Sequence, residues 1–164
     1  FFAGGGAVKF VKDYDAAGLK KSIPLVGSGF LTDGTLEAQG ASAQGLITAL
    51  HYGDNIETPR NTAFRNKFAV TYKVNPDVYA LQGYDAAQML AIGLATVKGD
   101  LSKKDALYAA MNKAQIDSPR GKFTLSPQRN PTQDFYVREV KGNYNVVTGI
   151  AVKALADPGR GCKP

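Results

Sequence analysis

The sequence predicts an α/β fold with an open, mostly parallel sheet flanked by helices. Short apolar runs at residues 23–26 and 46–52 are separated by helical or glycine-rich stretches rather than by hairpin turns. Glycine clusters at Gly4 to Gly6 and at Gly27 and Gly29 stand where strands hand over to helices. A middle section of three consecutive helices then separates this part from a β-rich end.

In order, Phe1 and Phe2 read as the end of a strand and Gly4, Gly5 and Gly6 as a tight turn. Ala7, Val11 and Tyr14 then recur at helical spacing until Gly18. Residues 23–26 form a short buried strand that ends at Gly27-Ser28-Gly29, and residues 32–44 hold a short helical segment before the strand at 46–52. From Gly53 the composition turns polar, and Thr58 followed by Pro59 marks a capped helix start. That helix carries Phe64, Phe68 and Tyr72 at spacings of four and stops before Asn75-Pro76. The next begins at Asp77 or Val78, uses Leu81, Met89, Leu90, Leu94 and Val97, and stops at Gly99. A third starts at Ser102, with Asp105 three residues on, and buries Leu107, Ala110 and Met111. Residues 121–125 then make a strand, 126–132 a turn, and 135–140 a hairpin with 144–150 through Lys141-Gly142-Asn143. A polar tail follows from Leu155.

Composition narrows the function. The chain has 164 residues, 44% hydrophobic and 21% charged, which fits one domain or two small lobes and excludes disorder as a whole. No run of 18 apolar residues occurs, since the longest helical candidate, 78–97, is broken by Gln82, Asp85, Gln88 and Gly93. The net charge of +6 is spread without a basic run longer than two, which describes a solvated surface and no nucleic-acid partner. Cys162 is a lone thiol, free or paired with a partner outside this sequence. The chain opens on Phe1 and Phe2 without an initiator methionine, which reads as a processed fragment whose N-terminal half is absent.

Catalysis finds little support. His51 is the one histidine and reads as structural, so no triad, no metal site and no cofactor are expected, and the chain is read as non-enzymatic. Gly27-Ser28-Gly29 lacks the earlier glycine of a nucleophile elbow, that position being Val26, and the triple glycine lacks the lysine of a phosphate loop. Glycines next to a helix start do let a ligand approach backbone amides, which favours an anion. The adjacent strand end at Ser28 and Phe30 is where open α/β sheets bind ligands.

The combination and order of five segments carry a resemblance: Phe2-Ala-Gly-Gly-Gly-Ala-Val-Lys-Phe-Val, Gly18-Leu19, Ile23-Pro-Leu-Val-Gly-Ser-Gly-Phe, Gln82-Gly-Tyr-Asp-Ala-Ala-Gln-Met-Leu and Ser118-Pro-Arg-Gly-Lys-Phe. Together they resemble the C-terminal half of a type 1 periplasmic solute-binding protein of the branched-chain amino-acid receptor family. The resemblance implies two α/β lobes joined by three crossings, which close on a solute and deliver it to an ABC permease in the inner membrane. Residues 1–54 and 138–164 would belong to the second lobe, and 55–137 would return to the first. A periplasmic location follows, as does association with the missing N-terminal half or with a second copy.

The ligand class rests on a departure. Amino-acid-binding relatives place an acid just after the strand corresponding to residues 23–26, whereas here the turn reads Gly27-Ser28-Gly29-Phe30. An unpaired buried ammonium costs several kcal/mol, roughly, so a small aromatic carboxylate of benzoate or lignin-derived type is favoured. The expected cleft is lined by Phe2, Ala3, Gly4, Ser28, Gly29 and Phe30 from the second lobe and by Tyr79, Gln82 and Tyr84 from the first. Phe2 and Phe30 would pack the ring, amides near Gly4 and the Ser28 hydroxyl would hold polar groups, and Tyr79 or Gln82 would reach across. The alternatives are the ligand-sensing domain of a receptor or regulator, and a branched-chain amino-acid binding protein.

Overall fold

A computed structural model describes residues 2–161; the readings attached to Phe1 and Cys162 lie outside the described residues. The chain divides into two compact units, one formed by residues up to Glu57 with Asp134–Lys153, the other by Thr58–Gln133 with residues from Ala154 onward.

In the first unit, helix α1 (Gly4–Ala16) presents Ala7 and Val11, four apart, to Leu31, Leu36, Ala43, Leu46 and Val140, with Phe10 and Leu25 at the margin. Full burial of each large aliphatic side chain contributes about 1.5–3 kcal/mol, which is why this face fixes the helix despite its weak start. The triple glycine is therefore not a turn but the first turn of α1. Gly18, at φ +72°, ends the helical run as expected.

The strand expected at 23–26 begins later: β1 is Val26–Ser28. The Ile23 amide is taken by the Leu19 carbonyl at 2.8 Å, and Pro24 has no amide to give a ladder. The short helix α2 (Leu36–Gln39) follows, then β2 (Ile47–Leu50).

β1 runs parallel to β2, with Val26 opposite Ile47. On the other side β2 pairs antiparallel with β4 (Pro131–Lys141), placing Thr48 opposite Arg138, and β5 (Tyr144–Leu155) pairs with β4. The β4–β5 hairpin turns through Gly142 at φ +60°. The sheet is open, as expected, and its parallel pairing among the described residues is that of β1 with β2.

In the second unit, α3 (Pro59–Tyr72) is capped by the Thr58 hydroxyl, which accepts from the Asn61 amide at 3.0 Å. Helix α4 (Val78–Thr96) is capped by the Asp77 carboxylate on the Ala80 amide at 3.0 Å. Helix α5 (Lys104–Asn112) packs on α4 at Gly93, where a Cβ would stand 2.8 Å from both Leu107 Cδ1 and Met111 Cγ. Ser102 does not cap α5: its amide and hydroxyl both donate to Asp100, at 3.0 and 2.6 Å, and the helix starts two residues later without a side-chain cap.

The strand expected at 121–125 shrinks to β3 (Thr124–Leu125), antiparallel to the start of β4, because Gly121 at φ +96° still belongs to the preceding turn. Phe64, Val78, Leu81, Val97 and Leu107 are buried, but Leu90 stays 45% exposed. Along α3 the rings of Phe64, Phe68 and Tyr72 form a ladder at 5.9 and 4.5 Å, and Tyr84 of α4 joins Phe64 at 5.1 Å.

Candidate functional site

In the first unit, β1 ends at Ser28 and the chain enters a single 3-10 turn, Gly29–Leu31, which packs on α1. Ser28 is exposed, Phe30 half-buried and Gly29 buried. At the start of α1, Ala3 and Gly4 are exposed, no side chain caps the helix, and no acid stands in its first turn. The first amides of a helix have no partner within it and are suited to a carboxylate. Phe2 is 51% exposed and stacks on Phe10 at 4.7 Å with the rings 9° apart.

Beneath this turn lies a network that local sequence patterns did not reveal. Arg138 is wholly buried, and its Nη2 donates to Asp33 Oδ2 at 2.7 Å and to Thr48 Oγ1 at 3.1 Å. Its Nη1 donates to the Tyr52 carbonyl at 2.9 Å and its Nε to Thr48 Oγ1 at 3.2 Å. The turn closes back on the same network, since the amides of Thr32 and Asp33 donate to the Gly29 carbonyl at 3.0 and 2.9 Å. Asp33 and Arg138 are 105 residues apart, so no spacing rule brings them together; the only signal is register, which puts Thr48 opposite Arg138. His51 is buried just past β2, edge-on to Phe135 at 6.0 Å.

The second unit places Gln82 and Tyr84 of α4 in two different depressions. Gln82 lines a cavity of about 410 Å³ with Met89, Tyr108, Met111 and Phe123. Tyr84 lines a separate groove of about 490 Å³ with Phe64, Phe68 and Tyr72, and its hydroxyl lies 3.5 Å from Arg60 Nη1. Tyr79 is 46% exposed, one turn before Gln82.

The Tyr-Asp-Ala-Ala and Ser-Pro-Arg segments meet here. Asp85 Oδ2 accepts from Ser118 Oγ at 2.8 Å and pairs with Arg120 Nε at 3.0 Å, while Arg120 Nη1 donates to Gln133 and its guanidinium lies 4.0 Å from the centre of the Phe123 ring. The second oxygen of Asp85 has no hydrogen-bond partner. Burial raises Asp85 above the usual aspartate range, against the opposing pull of Ser118 and Arg120, and burial lowers Arg120. Among the described residues no group of three His, Cys, Asp or Glu side chains converges to hold a metal ion.

The profile of the periplasmic binding protein family matches residues 1–145, and the chain belongs to that family. It is 50% identical to a solute-binding protein of an ABC transporter from R. palustris solved in complex with benzoate, with a TM-score of 0.94 over 100% of this chain and 45% of that one. A second, from Rhodopseudomonas palustris BisB5 in complex with 3,4-dihydroxybenzoic acid, is 30% identical with a TM-score of 0.85, covering 97% and 45%. The Leu/Ile/Val-binding protein homolog 6 of Brucella abortus is 32% identical over 136 residues, 80% of this chain and 35% of that protein. The chain thus spans less than half the length of these relatives. No described helix is long and apolar enough to cross a membrane.

Proposed function

We propose that the chain is part of an extracytoplasmic receptor of an ABC importer whose ligand is a small aromatic carboxylate. The observation that carries the reading is the 50% identity, over the whole chain, to a protein crystallised with benzoate. The residues of the first unit support it. The segment Gly27 to Phe30 offers a hydroxyl, backbone and an aromatic ring but no acid, and the start of α1 offers amides without a nearby carboxylate in its first turn. Such a surface suits an anion with a flat apolar body and leaves an α-ammonium unpaired. The role is binding and delivery rather than catalysis, the location periplasmic and the partner an inner-membrane permease. Residues 1–54 and 138–164 are proposed as the second lobe of the receptor and 55–137 as its return to the first. Phe2, Ala3, Gly4, Ser28, Gly29, Phe30, Tyr79, Gln82 and Tyr84 are proposed as its ligand contacts.

The test is a thermal-shift series on the full-length gene product against benzoate, 4-hydroxybenzoate, cinnamate, leucine and valine. A ligand at a hundredfold excess over Kd stabilises by about 2.7 kcal/mol, enough to separate binders from non-binders. Shifts with the aromatic acids and none with leucine or valine are expected. The reverse pattern would favour a branched-chain amino-acid receptor, the reading to which the Brucella relative's name points.

A further inference from the structure

We propose that Arg138 is a positioning residue that sets the chemistry of the strand-end turn, an inference that rests on the aromatic-carboxylate reading above. The geometry around Gly29 carries it. A Cβ built at this position would stand 2.6 Å from Arg138 Nη2 and 2.7 Å from Leu50 Cβ and Cδ2. The volume a side chain at 29 would enter is thus filled from the other side of the sheet edge by a guanidinium and a leucine. The guanidinium has nowhere to go, because four hydrogen bonds to Asp33, Thr48 and the Tyr52 carbonyl hold it while wholly buried.

Two consequences follow for recognition. Position 29 contributes backbone only, so the turn acquires no carboxylate there to meet a ligand cation. The Asp33 carboxylate, close to the turn in sequence, accepts from Arg138 Nη2 at 2.7 Å and its own amide is tied to the Gly29 carbonyl. The polar side chain left facing out from residues 27–30 is the Ser28 hydroxyl. Arg138, without touching ligand, therefore biases the turn toward anions and holds its backbone in one place.

The experiment compares the full-length gene product with its Arg138→Lys and Thr48→Val variants. The first reading is amide hydrogen exchange at Thr32 and Asp33, with Val11 of α1 as the internal reference. The second is the ratio of affinities for benzoate and for benzamide, its uncharged isostere. Hydrogen bonds to charged groups are strong enough that their loss in Arg138→Lys should speed exchange at Thr32 and Asp33 by about tenfold or more and cut the benzoate-to-benzamide ratio by about fivefold. Thr48→Val, which removes one acceptor and keeps the charge pair, should move both in the same direction by less, and it carries the test if Arg138→Lys does not fold. Unchanged exchange at these amides, or equal weakening of both ligands with a constant ratio, overturns the proposal. If the parent binds no benzoate, the aromatic-acid reading fails and the selectivity half falls with it, while the exchange measurement still decides the positioning half.

Discussion

Each unit buries one arginine–aspartate pair, and the two are built on different terms. In the first unit every guanidinium nitrogen of Arg138 has an acceptor. In the second, Arg120 and Asp85 are also buried, yet one Asp85 oxygen is left without a partner and burial pushes both groups toward their neutral forms. A saturated network fixes backbone, and here it fixes the turn at the end of β1. An unsaturated one keeps a carboxylate that can take up a proton, so its arginine is easier to lose.

The largest expected effect tests that contrast directly. Arg138→Met takes the guanidinium away from the buried Asp33 carboxylate and should cost about 3–5 kcal/mol. The measurement is denaturant unfolding followed by exchange of amides in the first unit. Arg120→Met should cost less, about 2–3 kcal/mol, because Asp85 can be protonated and Ser118 still donates to it. Equal losses would dissolve the distinction.

Glycines sharpen the same comparison. Gly29→Ala drives a methyl against a pinned guanidinium and the Leu50 Cβ, and overpacking of this kind costs about 1–3 kcal/mol. Gly93→Ala would meet Leu107 Cδ1 and Met111 Cγ at 2.8 Å and the Leu107 carbonyl oxygen at 3.3 Å, so the overpacking cost of about 1–3 kcal/mol is offset only in part by the helix-propensity gain of about 1 kcal/mol, and melting temperatures should fall less than for Gly29→Ala.

The smallest effect is in pH. Asp85 has a raised value in the folded chain, so between the ordinary aspartate value, about 3.9, and that raised value the native state binds more protons than the unfolded one. Its contribution is full below that window and falls as pH rises through it. Subtracting the stability curve of Asp85→Asn, in which Ser118 and Arg120 remain the facing groups, should expose a downward slope confined to this window. A slope of opposite sign would mean that Arg120 outweighs burial.

What could be read in the sequence was local. The apolar spacings of Ala7 and Val11 and of Phe64 and Phe68, together with the Thr58-Pro59 and Asp77 caps, place three helices because a helix is specified by neighbours within a turn or two. The glycine run was misread because glycine lowers helix propensity by itself, while the face that follows it decides the outcome. β1 was displaced because Ile23 spends its amide on Leu19, a choice invisible to a count of apolar residues. Of the candidate site, the Ser28–Phe30 turn could be found from its strand end. Arg138 and Arg120 could not, since their partners lie 105 and 35 residues away and only the folded sheet and helices bring them together.

The aromatic ladder of α3 has a consequence for the behaviour of concentrated solutions. Tyr72 is 63% exposed and lines the groove together with Arg60 and Lys67, and Val70 and Val74, two residues away on either side in the sequence, are 70% and 60% exposed. With a net charge of +6, copies of the chain repel one another in dilute buffer, where the screening length is about 10 Å at 0.1 M salt. At 1 M that length falls to about 3 Å, and the repulsion no longer reaches across the rim of cations to keep the rings apart. Light scattering from the isolated chain should therefore climb with added sodium chloride, and cutting back Phe68 and Tyr72 should flatten the climb.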